Sequence, residues 1–146
     1  MQEFSVPVIN WCAWVPGIEH CRGWHEWTDS IAWDALKVTP DVSFIGPMVR
    51  RRLSKISRIA LYVAHHCRSD QAIDSGVFCS RHGECVRALS IYQSIGSSGQ
   101  VSPTQFSQSV HNAAAGVFSI ENNLKIPFTT VSAGSTTTEM GFIEAW

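Results

Sequence analysis

Charge is scarce in this chain of 146 residues. Asp, Glu, Lys and Arg make up 16 % of the sequence, with 11 basic against 12 acidic side chains. Globular proteins average about 25 % charged residues, so the shortage predicts a large buried interface with another subunit. The near balance of the two signs excludes the basic surface that nucleic-acid binding requires.

Long apolar runs and export signals are also missing. No apolar run approaches the roughly 18 residues of a membrane-spanning helix. The N-terminal stretch MQEFSVPVINW lacks the basic start and the small-residue cleavage site of a signal peptide. The five cysteines are odd in number and scattered, which favours reduced thiols. We therefore expect a cytoplasmic protein without a membrane span.

Hydrophobic periodicity predicts strands that alternate with helices. The expected strands are residues 6–15, 76–80 and 128–132, and the middle one is a fully apolar run that suits a buried central strand. The expected helices cover residues 23–36, 48–67, 83–95, 103 onward, 113 onward and 136–146. This alternation indicates an α/β fold with a mixed, largely parallel sheet in one domain, residues 1–146.

Two of the predicted helices carry a clear apolar stripe, and we expect both stripes to face the core. The stripe of helix 48–67 consists of Val49, Leu53, Ile56, Ile59 or Ala60, and Val63. The stripe of helix 83–95 consists of Val86, Leu89, Tyr92 and Ile95.

Basic residues crowd the first turns of the helix predicted at 48–67. They are Arg50, Arg51, Arg52 and Lys55, with Arg58 one turn further. Cations at a helix N-terminus oppose the helix dipole, which argues for a role beyond solvation. An ordinary solvated face and a docking site for an acidic partner, such as a phosphopantetheine-bearing carrier protein, both stay open.

A sharp corner is predicted where the last strand meets the last helix. Gly134 allows a tight turn there and presents Ser135 at the helix start. A strand, turn and helix in this order, with free N–H groups at the helix start, is how α/β enzymes present a nucleophile. The stretch is not G-x-S-x-G and marks no base for the serine. Simple helix capping and a Ser135-dependent acyltransferase or hydrolase are therefore both possible.

Cysteine and histidine cluster in the stretch CSRHGEC at residues 79–85, with His65-His66-Cys67 upstream. These residue types suit zinc, but the C-x₂-H-x₂-C spacing is not that of a standard zinc knuckle. Cys79 also falls in an apolar strand, where inert thiols are common. A Cys/His metal-binding interaction module is kept as an alternative, with no metal ligand assigned, and His111 is interpreted as a packed structural residue.

The stretches SPTQFSQSVHNAAAGVFSI and KIPFTTVSAGS resemble the N-terminal half of the beta-ketoacyl synthases. The stretches RRRLSKISRIALYVA and GVFCSRHGECVRALSIYQSI resemble the short synthase-like branch found with aryl polyene and other type II polyketide systems. The resemblance runs from about Val8 to Trp146 and is strongest over residues 48–135. It implies a thiolase-like fold, here the N-terminal half of a layered αβαβα architecture, usually paired as a dimer.

In the resemblance, Ser135 stands where an active 3-oxoacyl-[acyl-carrier-protein] synthase has its nucleophilic cysteine. That cysteine takes the acyl chain as a thioester, and two histidines from the second half assist condensation; these 146 residues contain no such half. A serine hydroxyl ionises far less than a thiol near neutral pH. The resemblance therefore implies a non-condensing subunit similar to the chain length factors, although whether any catalysis survives stays open.

The resemblance also supplies partners and further candidate residues. It implies pairing with an active ketosynthase, or with a second copy of the chain, in polyketide or fatty-acid elongation. The substrate would arrive on the phosphopantetheine of an acyl carrier protein, and no bound cofactor is implied. Candidate interface or pocket residues are Asn112, Ala113, Gly116, Phe128, Val131 and Gly134.

Overall fold

The computed structural model describes residues 5, 7–16, 18, 24, 38–68 and 72–146. The helix predicted at 23–36 lies outside these residues except for Trp24. The elements, in chain order, are α1 Pro47–Arg50, α2 Lys55–Cys67, β1 Gly76–Cys79, α3 Cys85–Ser98, α4 Pro103–Ser107, α5 Ala113–Glu121, β2 Phe128–Val131, a 3₁₀ turn Gly134–Thr136 and α6 Thr137–Ala145. No helix among the described residues is long and apolar enough to cross a bilayer.

The two strands pair in parallel, with Gly76 opposite Phe128 and Cys79 opposite Val131. Gly76 makes room for the Phe128 ring, which a Cβ at that position would overlap. Because parallel neighbours need a crossover, the chain passes through α3, α4 and α5 between them. The prediction of a fully buried central strand was wrong: β1 is half-buried and Cys79 is exposed. Within the described residues the sheet has two strands, so β1 has a strand on one side alone.

The first strand predicted, at residues 6–15, was also wrong for the described part of that segment. Residues 7–14 have no strand, and Val15 forms a single antiparallel bridge with Ile18. Val8 and Ile9 are both 70 % exposed. β-branched residues form a strand where a neighbouring strand pairs with them, and a local pattern does not supply that neighbour.

The helix predicted at 48–67 is in fact two helices, α1 and α2, separated by a turn that ends at Ser54. The Ser54 hydroxyl accepts a hydrogen bond from the backbone N–H of Ser57 at 3.0 Å and so caps the start of α2. Arg50 and Arg51 consequently lie at the C-terminal end of α1, where the helix dipole favours cations. The predicted conflict between charge and dipole is therefore absent for these two arginines, whereas Lys55 is the first residue of α2 and keeps it.

The core is built around α2 and α5. Leu61 and Tyr62 are buried on α2, whereas Ile56 of the predicted stripe is 43 % exposed. The core cluster consists of Trp14, Val42, Ile45, Leu53, Leu61, Tyr62, Val117 and Phe118. Rings of Phe78, Phe118 and Phe128 lie 5.7–6.1 Å apart between centroids, which ties both strands to α5.

The stripe of α3 faces outward, contrary to the prediction. Exposure is 80 % for Val86, 58 % for Leu89, 71 % for Tyr92 and 48 % for Ile95, and Ile91 is the buried residue of the helix. The helix also runs to Ser98 instead of Ile95. Periodicity shows that residues share a helix face, but it does not show which neighbour that face meets.

The starts of the last three helices, α4, α5 and α6, were predicted to within one residue. Helices α4 and α5 begin at residues 103 and 113 as predicted, and α6 begins at 137, one residue later than predicted. The residues before them, Ser102, Asn112 and Thr136, form no cap hydrogen bond through their side chains. The Thr136 hydroxyl does not cap α6 and instead donates to the Ala133 carbonyl at 2.9 Å. A left-handed residue, Asn123 with φ 51°, follows the end of α5.

Helix α6 lies directly against β1. A Cβ at the buried Gly141 would overlap the Cys79 sulfur, whereas the space around Gly116 in α5 is open. Both glycines are helical, so the two positions differ mainly in the space available.

Replacing Gly141 with alanine should lower the free energy of unfolding by about 1–3 kcal/mol, because the added methyl group overpacks the contact with Cys79. Gly116→Ala should raise it by up to about 1 kcal/mol through helix propensity. Denaturant unfolding measures both changes. Adding Cys79→Ala to Gly141→Ala should recover most of the loss, and no recovery would show that the sulfur is not the obstacle.

Candidate functional site

The corner between β2 and α6 has the geometry of a nucleophile elbow. Gly134 has φ 60°, a left-handed conformation that favours glycine. The Thr136 N–H donates to the Ala133 carbonyl at 3.1 Å and closes the turn. Ser135 is exposed on this bend, between the end of a strand and the start of a helix.

Thr137 braces the corner from inside. Thr137 is buried, with 7 % of its surface exposed. The Thr137 hydroxyl accepts from the Ala133 N–H at 3.0 Å and donates to the Gly134 carbonyl at 2.8 Å. One buried hydroxyl therefore holds both backbone groups that lead into the turn.

No base lies beside the Ser135 hydroxyl in the part of the chain that the structure describes. The hydroxyl makes no hydrogen bond to any residue that the structure describes, whereas a serine nucleophile needs a base within about 2.6–3.2 Å. The His111 ring packs instead at Gly83, where a Cβ would overlap it, and Nε2 lies 3.4 Å from the Val131 carbonyl. His82 is exposed on the neighbouring loop. The described part of the corner thus has the shape of an elbow without an activated nucleophile.

The interface candidates near the corner occupy different environments. Ala113 is buried and Phe128 packs in the ring cluster, so both serve the core. Val131 is half-buried, while Asn112, Gly116 and Gly134 are exposed. Their role in an interface stays a prediction.

The cysteine and histidine residues do not gather around a common point. Within residues 38–68 and 72–146 and the described N-terminal positions, no group of three or more His, Cys, Asp or Glu side chains could hold a metal ion. Cys79 is exposed as a residue, but its sulfur lies close to Gly141 of α6, and the partial desolvation there raises the pKa of the thiol. His65 stacks on Phe44 with ring centroids 3.8 Å apart. Desolvation, with the nearby charges of His66 and Arg68, lowers the pKa of His65.

The predicted docking residues surround the turn between α1 and α2. We call Arg50, Arg51, Arg52 and Lys55 the basic turn. Arg51 and Arg52 are exposed, and their guanidinium groups form no ion pair with the described residues. Two arginines outside the turn hold its backbone: Arg58 donates to the Arg50 carbonyl, and Arg87 to the Arg52 carbonyl, each at 2.7 Å.

Two features of the site were not predicted from the sequence. A largely apolar cavity of about 600 Å³ lies between α2, β1 and α5. Glu84, at the start of α3, is buried against Ser54 and Ser57. The two serines at the start of α2 were the one sequence feature that could have indicated a buried carboxylate nearby. Serines at helix starts usually serve as caps, so the sequence did not single out Glu84.

Thr137→Val should cost about 1–3 kcal/mol of stability, because the isosteric side chain leaves the Ala133 N–H and the Gly134 carbonyl without their partner. The exposed neighbour supplies the control, since Thr138→Val should change stability by less than about 0.5 kcal/mol. Thermal unfolding compares the two. Equal effects would contradict a bracing role for Thr137.

Comparisons with known proteins agree with this geometry. The family described as beta-ketoacyl synthase, N-terminal domain, matches residues 24–146. Among solved structures, the chain is similar to one described as the ketosynthase ApeO in complex with its chain length factor ApeC, from Xenorhabdus doucetiae, with 30 % identity and a TM-score of 0.86. That alignment covers 98 % of this chain and 61 % of the other, so the chain spans less than two thirds of the structure it matches. No curated protein matches the chain.

The similarity confirms the predicted α/β, thiolase-like fold. Since the family match covers most of the chain and the fold agrees with it, the chain belongs to the family of beta-ketoacyl synthase N-terminal domains.

Proposed function

We propose that this chain is a non-condensing, chain-length-factor-like subunit that pairs with an active ketosynthase during acyl-carrier-protein-dependent chain elongation. The observation that carries the proposal is the corner at Ser135. It keeps the shape of a ketosynthase elbow, yet it offers a hydroxyl with no base among the described residues. An ester formed there would also be a poorer acyl donor than a thioester. The subunit has the shape of the elbow but a hydroxyl, not a thiol, at its tip.

An exposed apolar face supports pairing with another subunit. The outward stripe of α3 adjoins an apolar groove of about 420 Å³ between α3 and α4, which Tyr92, Ile95 and Phe106 help to line. Residues 88–120 contain no Asp, Glu, Lys or Arg. Extended apolar surface without charge is typical of the centre of a protein interface. A similar solved structure, moreover, is described as a ketosynthase with its chain length factor.

The basic turn supports a role for an acyl carrier protein. Its two exposed arginines face solvent without a counter-ion among the described residues. Unpaired cations on one turn attract an acidic partner and raise the rate of encounter. We infer that a carrier protein docks at this turn and brings its phosphopantetheine-linked acyl chain to the pair.

Co-purification with a tagged ketosynthase that retains its cysteine tests the pairing. Leu89→Glu should reduce the recovered pair at least tenfold, because it buries an unpaired charge in the apolar interface. Ser90→Glu adds the same charge to the same helix outside the stripe and should leave recovery unchanged. A wild-type chain that never co-purifies would refute the pairing itself.

Exposure to an acyl thioester, followed by mass spectrometry, tests the loss of nucleophilic function. The wild-type chain should carry no acyl group at Ser135, because its hydroxyl stays protonated and no base lies beside it among the described residues. Ser135→Cys should acquire one, since a thiol at a helix start ionises readily. An acyl group on the wild-type serine would favour the alternative, an acyltransferase or hydrolase that uses Ser135.

A further inference from the structure

A buried carboxylate joins the starts of two helices. Glu84 is the residue before α3, and it is 8 % exposed. Its Oε1 accepts hydrogen bonds from the hydroxyls of Ser54, at 2.6 Å, and Ser57, at 2.5 Å, in the first turn of α2. A buried charge is tolerated where hydrogen bonds and an opposite charge compensate it. The two serines supply the hydrogen bonds.

The opposite charge is Arg87, which connects Glu84 to the protein surface. Arg87 Nε lies 3.6 Å from Glu84 Oε2, and the Arg87 side chain is 20 % exposed. From that position Arg87 Nη2 donates to the Arg52 carbonyl at 2.7 Å. A continuous path of polar contacts therefore runs from the buried Ser57 through Glu84 and Arg87 to the backbone of the basic turn.

We propose that Glu84 is a positioning residue for the basic turn. Glu84 orients Arg87, and Arg87 holds the Arg52 carbonyl, so that Arg51 and Arg52 project from a fixed backbone. Arg58 holds the Arg50 carbonyl at the other end of the turn. A fixed backbone lowers the entropy that is lost when two long side chains bind an acidic partner. The inference rests on the proposed docking of an acyl carrier protein at this turn.

Glu84→Gln is the single substitution that tests the charge of Glu84 most directly. A glutamine keeps the size and one oxygen that accepts from both serines, but it loses the charge that attracts Arg87. Arg87→Met instead removes the bond to the Arg52 carbonyl and leaves the serine contacts in place. Both variants remove a contact that holds the backbone of the basic turn, and both leave the Arg51 and Arg52 side chains unchanged. Glu144→Gln, on α6, matches the change in net charge and serves as the control.

The measurement is fluorescence anisotropy of a labelled acyl carrier protein, loaded with phosphopantetheine, titrated with the whole chain at fixed salt. Glu84→Gln and Arg87→Met should each weaken binding about five- to tenfold, the range expected for loss of one hydrogen bond of typical net strength. Their double variant should be no weaker than either alone, because both act through one path. Glu144→Gln should bind as the wild type does.

Repeating Glu84→Gln in a chain that lacks the two exposed arginines separates a positioning role from a general loss of stability. In an Arg51→Gln, Arg52→Gln chain, Glu84→Gln should have no further effect, since the basic turn then has no exposed guanidinium left to position. A loss of the same factor in both backgrounds would show a merely structural role and overturn the inference. If Glu84→Gln fails to fold, Arg87→Met answers the same question from the surface.

The failures of the two proposals are distinguishable. If Arg51→Gln, Arg52→Gln weakens binding while Glu84→Gln and Arg87→Met bind normally, docking stands and positioning is wrong. If Arg51→Gln, Arg52→Gln binds the carrier protein as tightly as the wild type, docking at the basic turn is itself wrong.

Discussion

The close approach of α6 to β1 is the constraint on which the corner depends. Gly141 lets the helix reach the end of the strand, because a larger residue there would meet the Cys79 sulfur. The parallel pairing of β1 with β2 then fixes where β2 ends. With both ends fixed, the turn that joins β2 to α6 has little freedom. Gly134 supplies the left-handed backbone, and Thr137 holds the groups that flank it.

This architecture separates the shape of a catalytic corner from its reactivity. The elbow needs a strand, a glycine and a helix start, and all three are present. Reactivity needs an ionisable nucleophile and a base, and Ser135 has neither a thiol nor a base among the described residues. A subunit with the first property and without the second can still contribute surface and fit to an assembly. That combination underlies the proposed role beside an active ketosynthase.

Charged residues are unevenly distributed along this chain. The crossover from α3 to α5 is free of charged residues over positions 88–120 and exposes an apolar stripe. At the start of that crossover, Glu84 and Arg87 lie largely buried and connect α3 with the turn before α2. The scarcity of charge in the composition therefore has a local meaning. It leaves one face apolar, and the ion pair of Glu84 with Arg87 joins two helices.

The sequence by itself determined the elements whose signals are local. The helix start at Pro103 and the turn at Gly134 were predicted correctly, because backbone restriction and left-handed geometry belong to single residues. The order of motifs also determined the family, and with it the fold. Only the tertiary structure decided which faces are covered. Val86 and Leu89 share a face in any helix, but exposure depends on what packs against it, and no local pattern contains that neighbour. The same reason explains the missing strand at residues 7–14 and the burial of Glu84, since sheet pairing and ionic contacts join residues that are distant in sequence.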